Sequence, residues 1–224
     1  MVVFLKKLIL FSTPIGNLKD VTLNFLEKAN EVDVFLAEKI SRTLKLLNYY
    51  KINKKILSYH ESDWYKRQSK ILSLIGRYEK IGFMSGAGTP NIEDPPINLV
   101  KYAIENGIEV ELVPGVSSLC SAMSLSPLPH TPFLFLGFLD KKNKYIEILS
   151  SCPNYVKSIV FFESCHRIKK TLNNMKQIFP NRSILILHEL TKVNQKVIFS
   201  KLKELKEDQL PEKGEYTIIL YNQP

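Results

Sequence analysis

An α/β protein of two domains is what the succession of apolar runs in this chain predicts, and three observations carry that reading. Short apolar runs bounded by turn residues alternate with stretches of helical period along nearly the whole sequence. The most proline-dense stretch, SPLPHTP (126–132), follows a glycine-bearing loop, PGVSS (114–118), and divides the alternation near its middle. The last two apolar runs, near 195–200 and 214–221, are joined by a short helix and not by a long crossover. Some antiparallel pairing follows, so the sheet of the second half is expected to be mixed.

The first half reads in order. LILFS (8–12) is a strand and DVTLNFLEKAN (20–30) a helix with Asp20 at its N-cap. VDVFLA (32–37) is strand-like, SRTLKLLNYY (41–50) helical, KILSYH (55–60) a strand and 63–77 a helix. IGFMS (81–85) is a buried strand that delivers the loop SGAGTPNIEDP (85–95). INLVKYAIENG (97–107) is a helix ending at Asn-Gly, and IEVELV (108–113) the next strand. PGVSS then opens a helix through about Leu125.

The second half begins with the strand 133–138 in FLFLGFL, followed by a helix over 143–150 and a strand over 157–162. A helix over 164–178 and a strand over 183–188 precede the last pair. The domains are therefore expected at 1–115 and 116–224, with the loop 114–118 serving both.

Composition narrows the classes. The 224 residues are 45% hydrophobic and 24% charged, which suits a soluble globular chain. The net charge is +9, and residues 138–192 hold ten Lys and Arg against four Asp and Glu. A polyanionic partner explains such an excess, and so does a well-solvated basic surface. Cys120, Cys152 and Cys165 are widely spaced, with no Cys-x-x-Cys or Cys/His cluster. Neither a disulfide framework nor a metal site is expected, and a reducing cytoplasm is the natural compartment. Lys6 and Lys7 interrupt MVVFLKKLILF well short of the roughly 20 apolar residues of a membrane span. That stretch reads as the first strand, and no membrane partner is expected.

SGAGTP lacks the Gly-Lys-Ser/Thr ending of a triphosphate-binding loop. As a dinucleotide fingerprint it also fails, because Pro90 stands where the helix would begin and no third glycine follows. A plain turn and a ligand loop both remain open at this point. Gly86 and Gly88 admit close approach of main chain to a ligand, Thr89-Pro90 stiffens the loop, and Glu93 and Asp94 can accept from ribose hydroxyls. Without a lysine, such a loop suits a nucleoside better than a triphosphate.

Eight motifs occur in order: STPIGNLKDVTLNFLEKANEVDVFLAE (12–38), LSYHE (57–61), SGAGTPNIEDP (85–95), VPGVSS (113–118), FLGFL (135–139), FFESCHR (161–167), HELTK (188–192) and KGEYTIIL (213–220). Together they resemble the tetrapyrrole (corrin/porphyrin) methylase superfamily. Within it they are most similar to the enzymes that methylate a cytidine ribose 2′-hydroxyl in small-subunit ribosomal RNA. The resemblance implies two α/β domains with S-adenosylmethionine held in a cleft between them, in a homodimer. Carried onto this sequence, it implies cofactor contacts at Pro14, at Ser85, Gly86, Ala87, Gly88 and Thr89, and at Ile92. It also implies contacts at Ser117, Ser118, Leu136 or Gly137, and Phe162 or Glu163. The helix start at 115–118 would offer amide donors to the methionine carboxylate.

The chain departs from that pattern at several places. EKISRT (38–43) stands where the family usually has Glu-Asp-Thr-Arg-x-Thr, so Lys39 replaces an acidic residue. Gly86 stands where Asp usually precedes Ala-Gly-Thr-Pro, Pro96 replaces a glycine, and Cys165 replaces a proline.

Transfer of a methyl from a sulfonium to a ribose hydroxyl is an in-line displacement that needs alignment and help for a poor nucleophile. The candidates for catalysis are Glu38, His60, Glu163, His166 and Arg167, with Glu61 and Glu189 as further carboxylates near strand ends. For His60 the plainer alternative is an interior histidine, and for ESCHR a helix cap with exposed basic residues. Arg42, Lys141 and Lys142 are candidates for phosphate contact, or solvated surface charges. Two further readings stay open: a corrin or porphyrin C-methyltransferase, favoured by Gly86 and PGVSS, and a non-catalytic binder of RNA or cofactor, suggested by Lys39.

Overall fold

The computed structural model describes residues 6–140, 142 and 144–222. Lys141, a candidate for phosphate contact, and position 143, the expected start of a helix, lie outside the described residues. The chain divides into two compact units, Met1–Ser117 and Ser118–Pro224.

The first unit is a parallel sheet of five strands, β1 (Lys7–Phe11), β2 (Val34–Ala37), β3 (Lys55–Ser58), β4 (Lys80–Met84) and β5 (Glu109–Val113), in the order β3-β2-β4-β1-β5. Four helices connect them: α1 (Leu23–Glu31), α2 (Ile40–Tyr49), α3 (Trp64–Ile75) and α4 (Ile97–Glu105). Both faces are covered, which is why β1, β2 and β4 read as near-continuous apolar runs. Alternation along each strand sorts the side chains. Ile9, Phe11 and Phe35 pack with Phe25 and Ala29 of α1 and with Leu46 and Leu47 of α2. Leu8, Leu10, Leu36 and Phe83 pack on the other face with Trp64 and Ile75 of α3 and with Leu99 and Ala103 of α4. Each such fully buried side chain contributes roughly 1.5–3 kcal/mol of transfer free energy.

From β1 the chain steps outward through α1 and α2 to β3. It then returns through α3 and α4 on the opposite face, crossing β1 to reach β5. The connection after β1 therefore leaves toward β2 and the one after β4 in the opposite direction toward β5, and the loops that follow β1, β4 and β5 leave one edge of the sheet as neighbours.

One expectation is corrected at α1. Its N-cap is Thr22, whose Oγ1 accepts from Phe25 N at 3.0 Å, and Asp20 instead closes a turn through its N–H to Asn17 O. Thr22 stands three residues before that first-turn amide, the spacing a cap requires.

The second unit carries β6 (Phe133–Phe138), β7 (Ser158–Ser164), β8 (Ser183–His188), β9 (Lys196–Lys201) and β10 (Glu215–Tyr221) in the order β6-β7-β10-β8-β9. Its sheet is mixed: β6 and β7 are parallel and every other pair is antiparallel. The antiparallel character comes from β10 entering between β7 and β8, and not from pairing of β9 with β10. Gly137, at φ +60°, sits where the β6–β7 register shifts. Helices α6 (Tyr145–Ser150) and α7 (Ile168–Ile178) cover one face through Tyr145, Leu149, Ile168, Leu172 and Met175. A further helix, α5 (Ser118–Ser124), packs against β10. Pairing of β10 as far as Ser164 extends β7 beyond its expected end at 162, and α7 accordingly starts at Ile168 instead of 164.

Among the described residues, no helix is long and apolar enough to cross a membrane.

Candidate functional site

Three loops leave the carboxyl ends of β4, β1 and β5 and are laced together by main chain. Thr13 and Gly88 form an isolated antiparallel bridge, each N–H donating to the other's carbonyl at 2.9 Å. Ser12 N donates to Val113 O at 3.1 Å. Side chains tighten the lacing: Ser85 Oγ donates to Gly88 O at 3.2 Å and Thr89 Oγ1 to Val116 O at 3.3 Å. A β-carbon on Gly88 would stand 3.3 Å from Ile15 Cγ2, and its φ of +79° lies where side-chain-bearing residues are strained.

This edge holds two acceptors with no partner. Thr13 Oγ1 and Asn91 Oδ1 are buried and make no hydrogen bond among the described residues. An interior hydroxyl or amide left so costs about 1–3 kcal/mol, so its persistence in a loop marks a place that a ligand can complete. Asn91 and Glu93 both take left-handed backbone, with φ of 65° and 64°. Such strain is concentrated where a loop is shaped for a ligand. The three loops thus offer a hydroxyl, an amide oxygen and unsubstituted main chain at Gly86 and Gly88, with no lysine inside the glycine loop. That donor and acceptor set fits a nucleoside-type cofactor.

The proposed contact residues are distributed as follows. Pro14, Ala87 and Thr89 are half-buried, Ser85 and Gly88 buried, Gly86 half-buried and Ile92 exposed, all on the same loops. Ser117 and Ser118 are half-buried, and Ser118 opens the seven-residue α5. In the second unit, Leu136 is half-buried on β6 against the core, and Phe162 on β7 packs edge-on to Phe135 and Phe138.

Glu38 and His60 follow the ends of the neighbouring strands β2 and β3. His60 is exposed, with Nε2 3.1 Å from Ser58 Oγ, so the interior-histidine alternative does not hold. Glu61 has a local task. Its Oε1 accepts from Asn98 N in the first turn of α4 at 2.7 Å, and its Oε2 from the Tyr59 hydroxyl at 2.9 Å. Burial first, and then the Glu61 carboxylate, push the Tyr59 hydroxyl well above the usual tyrosine range.

The residues of ESCHR separate. Glu163 is 1% exposed and its oxygens accept from Ser164 N, Arg167 Nε and Thr171 Oγ1, each at 2.8 Å. Arg167 also donates from Nη2 to Leu139 O at 2.8 Å, which ties the end of β6 to the turn before α7. These bonds make Glu163 and Arg167 anchors of the β7–α7 turn, while His166 is exposed. Glu189, at φ +51°, accepts from Lys192 Nζ at 2.7 Å and Glu215 N at 3.0 Å. Burial raises its pKa, but these two donors outweigh it and hold the carboxyl below its ordinary range. Lys142 is exposed, and its N–H donates to Asp140 Oδ2 at 3.0 Å. The unpartnered Thr13 hydroxyl was not distinguishable in the sequence, because only the folded loop shows which polar atoms lack a mate.

Comparison with known proteins agrees with this architecture. The family described as Tetrapyrrole (Corrin/Porphyrin) Methylases matches residues 7–206. A protein of Thermotoga maritima named ribosomal RNA small subunit methyltransferase I is 41% identical over 216 residues, covering 96% of this chain and 97% of its own. The protein of that name from Bacillus subtilis is 34% identical, over 95% of this chain and 74% of its own length. Among solved structures, uroporphyrin-III C-methyl transferase from Thermus thermophilus complexed with S-adenyl homocysteine superposes with a TM-score of 0.68 at 16% identity, covering 96% of both chains. At that identity the likeness is one of fold. With the family matched over most of its length, and with relatives above 30% identity nearly end to end, the chain belongs to the tetrapyrrole (corrin/porphyrin) methylases.

Proposed function

We propose that this protein is an S-adenosylmethionine-dependent methyltransferase of small-subunit ribosomal RNA, acting on the 2′-hydroxyl of a cytidine ribose. The observation that carries the reading is the laced edge formed by the loops after β1, β4 and β5, with its unpartnered Thr13 hydroxyl. The near full-length similarity to ribosomal RNA small subunit methyltransferase I supports the RNA substrate over a tetrapyrrole.

When bound, the cofactor supplies an electrophilic methyl group on a sulfonium. The chain's own residues do the rest. Thr13 Oγ1 and the main chain at 85–89 hold the nucleoside portion, and Pro14 and Ile92 wall it with apolar surface. Glu38 and His60, beyond the ends of β2 and β3, stand on the same sheet edge and are the groups for taking or relaying the ribose proton. Glu163 and Arg167 act by fixing the β7–α7 turn and not by touching the hydroxyl. Homodimeric assembly and a cytoplasmic location complete the proposal. Three free cysteines suit a reducing compartment.

Purified protein with labelled S-adenosylmethionine should label small subunits taken from a strain lacking its own modifying enzyme. Digestion of that RNA should place the label in a 2′-O-methylcytidine. Absence of label, with calorimetric binding of S-adenosylhomocysteine intact, would remove the RNA assignment. Absence of both would remove the methyltransferase. Sedimentation should give twice the 25.8 kDa chain mass.

A further inference from the structure

Most lysines at the amino-terminal edge of the first sheet are matched. Lys7 bridges Glu109 and Glu111 at 2.7 and 3.0 Å, and Lys28 bridges Glu31 and Glu111. The opposite edge differs. Lys39 and Arg42 are exposed at the start of α2, and neither has a carboxylate partner among the described residues. They converge on Gly86. Arg42 Nη1 donates to Gly86 O at 3.4 Å. Lys39 Nζ and Arg42 Nη1 each lie 3.9 Å from the point where a β-carbon on Gly86 would stand, and Lys39 Cδ lies 3.6 Å from it.

Local energetics oppose this arrangement. Two cations sharing one spot repel. Both sit in the cap and first turn of α2, the positive end of the helix, where no acidic residue offsets them and the Lys39 side chain makes no capping bond. Residues that break local rules without local compensation mark function. Position 86 carries no side chain, so that point of the glycine loop brings no carboxylate to the pair.

We propose that Lys39 and Arg42 form a two-cation clamp over Gly86 that binds a phosphodiester of the RNA strand beside the reacting nucleotide, and so determine specificity for a nucleic-acid substrate. The inference rests on the methyltransferase reading above and deepens it. One anion placed between the two head groups relieves their mutual repulsion and the unfavourable helix end together. The guanidinium offers a directional fork to two phosphate oxygens and the ammonium a point charge. Because Arg42 is bonded to the glycine loop itself, a strand held here is held next to that loop.

The test uses the full chain with K39A, R42A, the double variant, and G86D, which returns a carboxylate beside Lys39. Small-subunit RNA from a strain lacking the modification is titrated at 50–300 mM salt without cofactor. S-adenosylhomocysteine binding is measured separately by calorimetry. The double alanine variant should lower the slope of log affinity against log salt by about 0.7–0.9, the amount for one phosphate, and each single alanine variant by a part of that. G86D should weaken RNA binding with both cations in place. Thermal midpoints of the alanine variants should be unchanged or higher, and cofactor-product affinity in K39A and R42A should stay within twofold of wild type. Unchanged salt slopes overturn the clamp. So does a parallel loss of S-adenosylhomocysteine binding, which would assign the cations to the cofactor carboxylate. If wild type binds S-adenosylhomocysteine and labels RNA while the slopes do not move, the clamp alone fails. If wild type does neither, the underlying function fails with it.

Discussion

Replacing Glu163 separates a structural carboxylate from a chemical one. In E163Q the amide oxygen can take the Oε1 position, keeping the bonds from Ser164 N and Arg167 Nε. The amide nitrogen then faces Thr171 Oγ1, which turns from donor to acceptor. All three contacts survive, and what is lost is the charge on the Arg167 bond, worth about 1–2 kcal/mol by the difference between charged and neutral hydrogen bonds. E163L removes every acceptor and leaves Arg167 with only Leu139 O, which costs about 3–5 kcal/mol. For a chain of this size those figures lower the midpoint of thermal unfolding by roughly 2–8 °C and 6–20 °C. Circular dichroism would read the midpoints, and a labelled-methyl assay well below them would read activity. E163Q should keep its transfer rate within about threefold of wild type, since a positioning group that still positions loses little. A general base contributes on the order of 10²–10⁴. If E163Q melts like wild type but transfers methyl more than about 100-fold more slowly, the carboxylate acts on substrate and the anchoring argument is wrong.

Thr13→Val keeps the shape of the side chain and removes the buried hydroxyl that has no partner. Urea unfolding should show equal or greater stability, by up to about 1 kcal/mol, while calorimetry shows S-adenosylhomocysteine binding weakened roughly 5–10-fold; unchanged affinity would mean that the hydroxyl does not meet the cofactor. Alkaline stability carries a second expectation. Burial pushes the Tyr216 hydroxyl up to about 12 against about 10 in an unfolded chain, so stability holds below pH ~10 and falls between ~10 and ~12. Tyr59 and Tyr221 are raised as well, so Y216F should make the urea midpoint's decline shallower without abolishing it. At the acid side the sign reverses. The hydrogen bond from Lys7 holds the Glu111 carboxyl below its ordinary range, so the stability it lends is present above pH ~4.5 and lost as pH falls further.

Local signals carried much of the architecture and failed where distant chain decided the outcome. The central strands β2, β4 and β8 follow apolar runs because burial on one or both faces is written into composition at short range. The N-cap of α1 falls at Thr22 and not at the expected Asp20, because the turn at Asn17 takes up the Asp20 N–H while the Thr22 hydroxyl meets Phe25 N. The end of β7 was misplaced because its last residues are strands only through pairing with β10, some fifty positions later. That same ladder explains Glu163. A carboxylate among Ser, Cys, His and Arg looks alike whether it faces water or the interior, and pairing opposite Tyr216 turns it inward. On the first sheet, the nearness of TPIG to AGTP follows from β1 lying beside β4. Strand order of that kind is not legible in either segment alone.

The position of β10 has a consequence for biosynthesis. Among the described residues it is the last of ten strands in sequence and the middle one of its sheet. While the chain is emerging from the ribosome, the first sheet has all its strands once β5 is out, and its parallel ladders can close early. The second sheet at that stage is two separate pieces, β6 with β7 and β8 with β9, each presenting an unpaired edge of apolar sequence. Those edges are sticky until the final strand slides between them. A nascent chain stalled before residue 215 would therefore expose two aggregation-prone seams at once, and chaperone demand for this protein should peak at the very end of its translation.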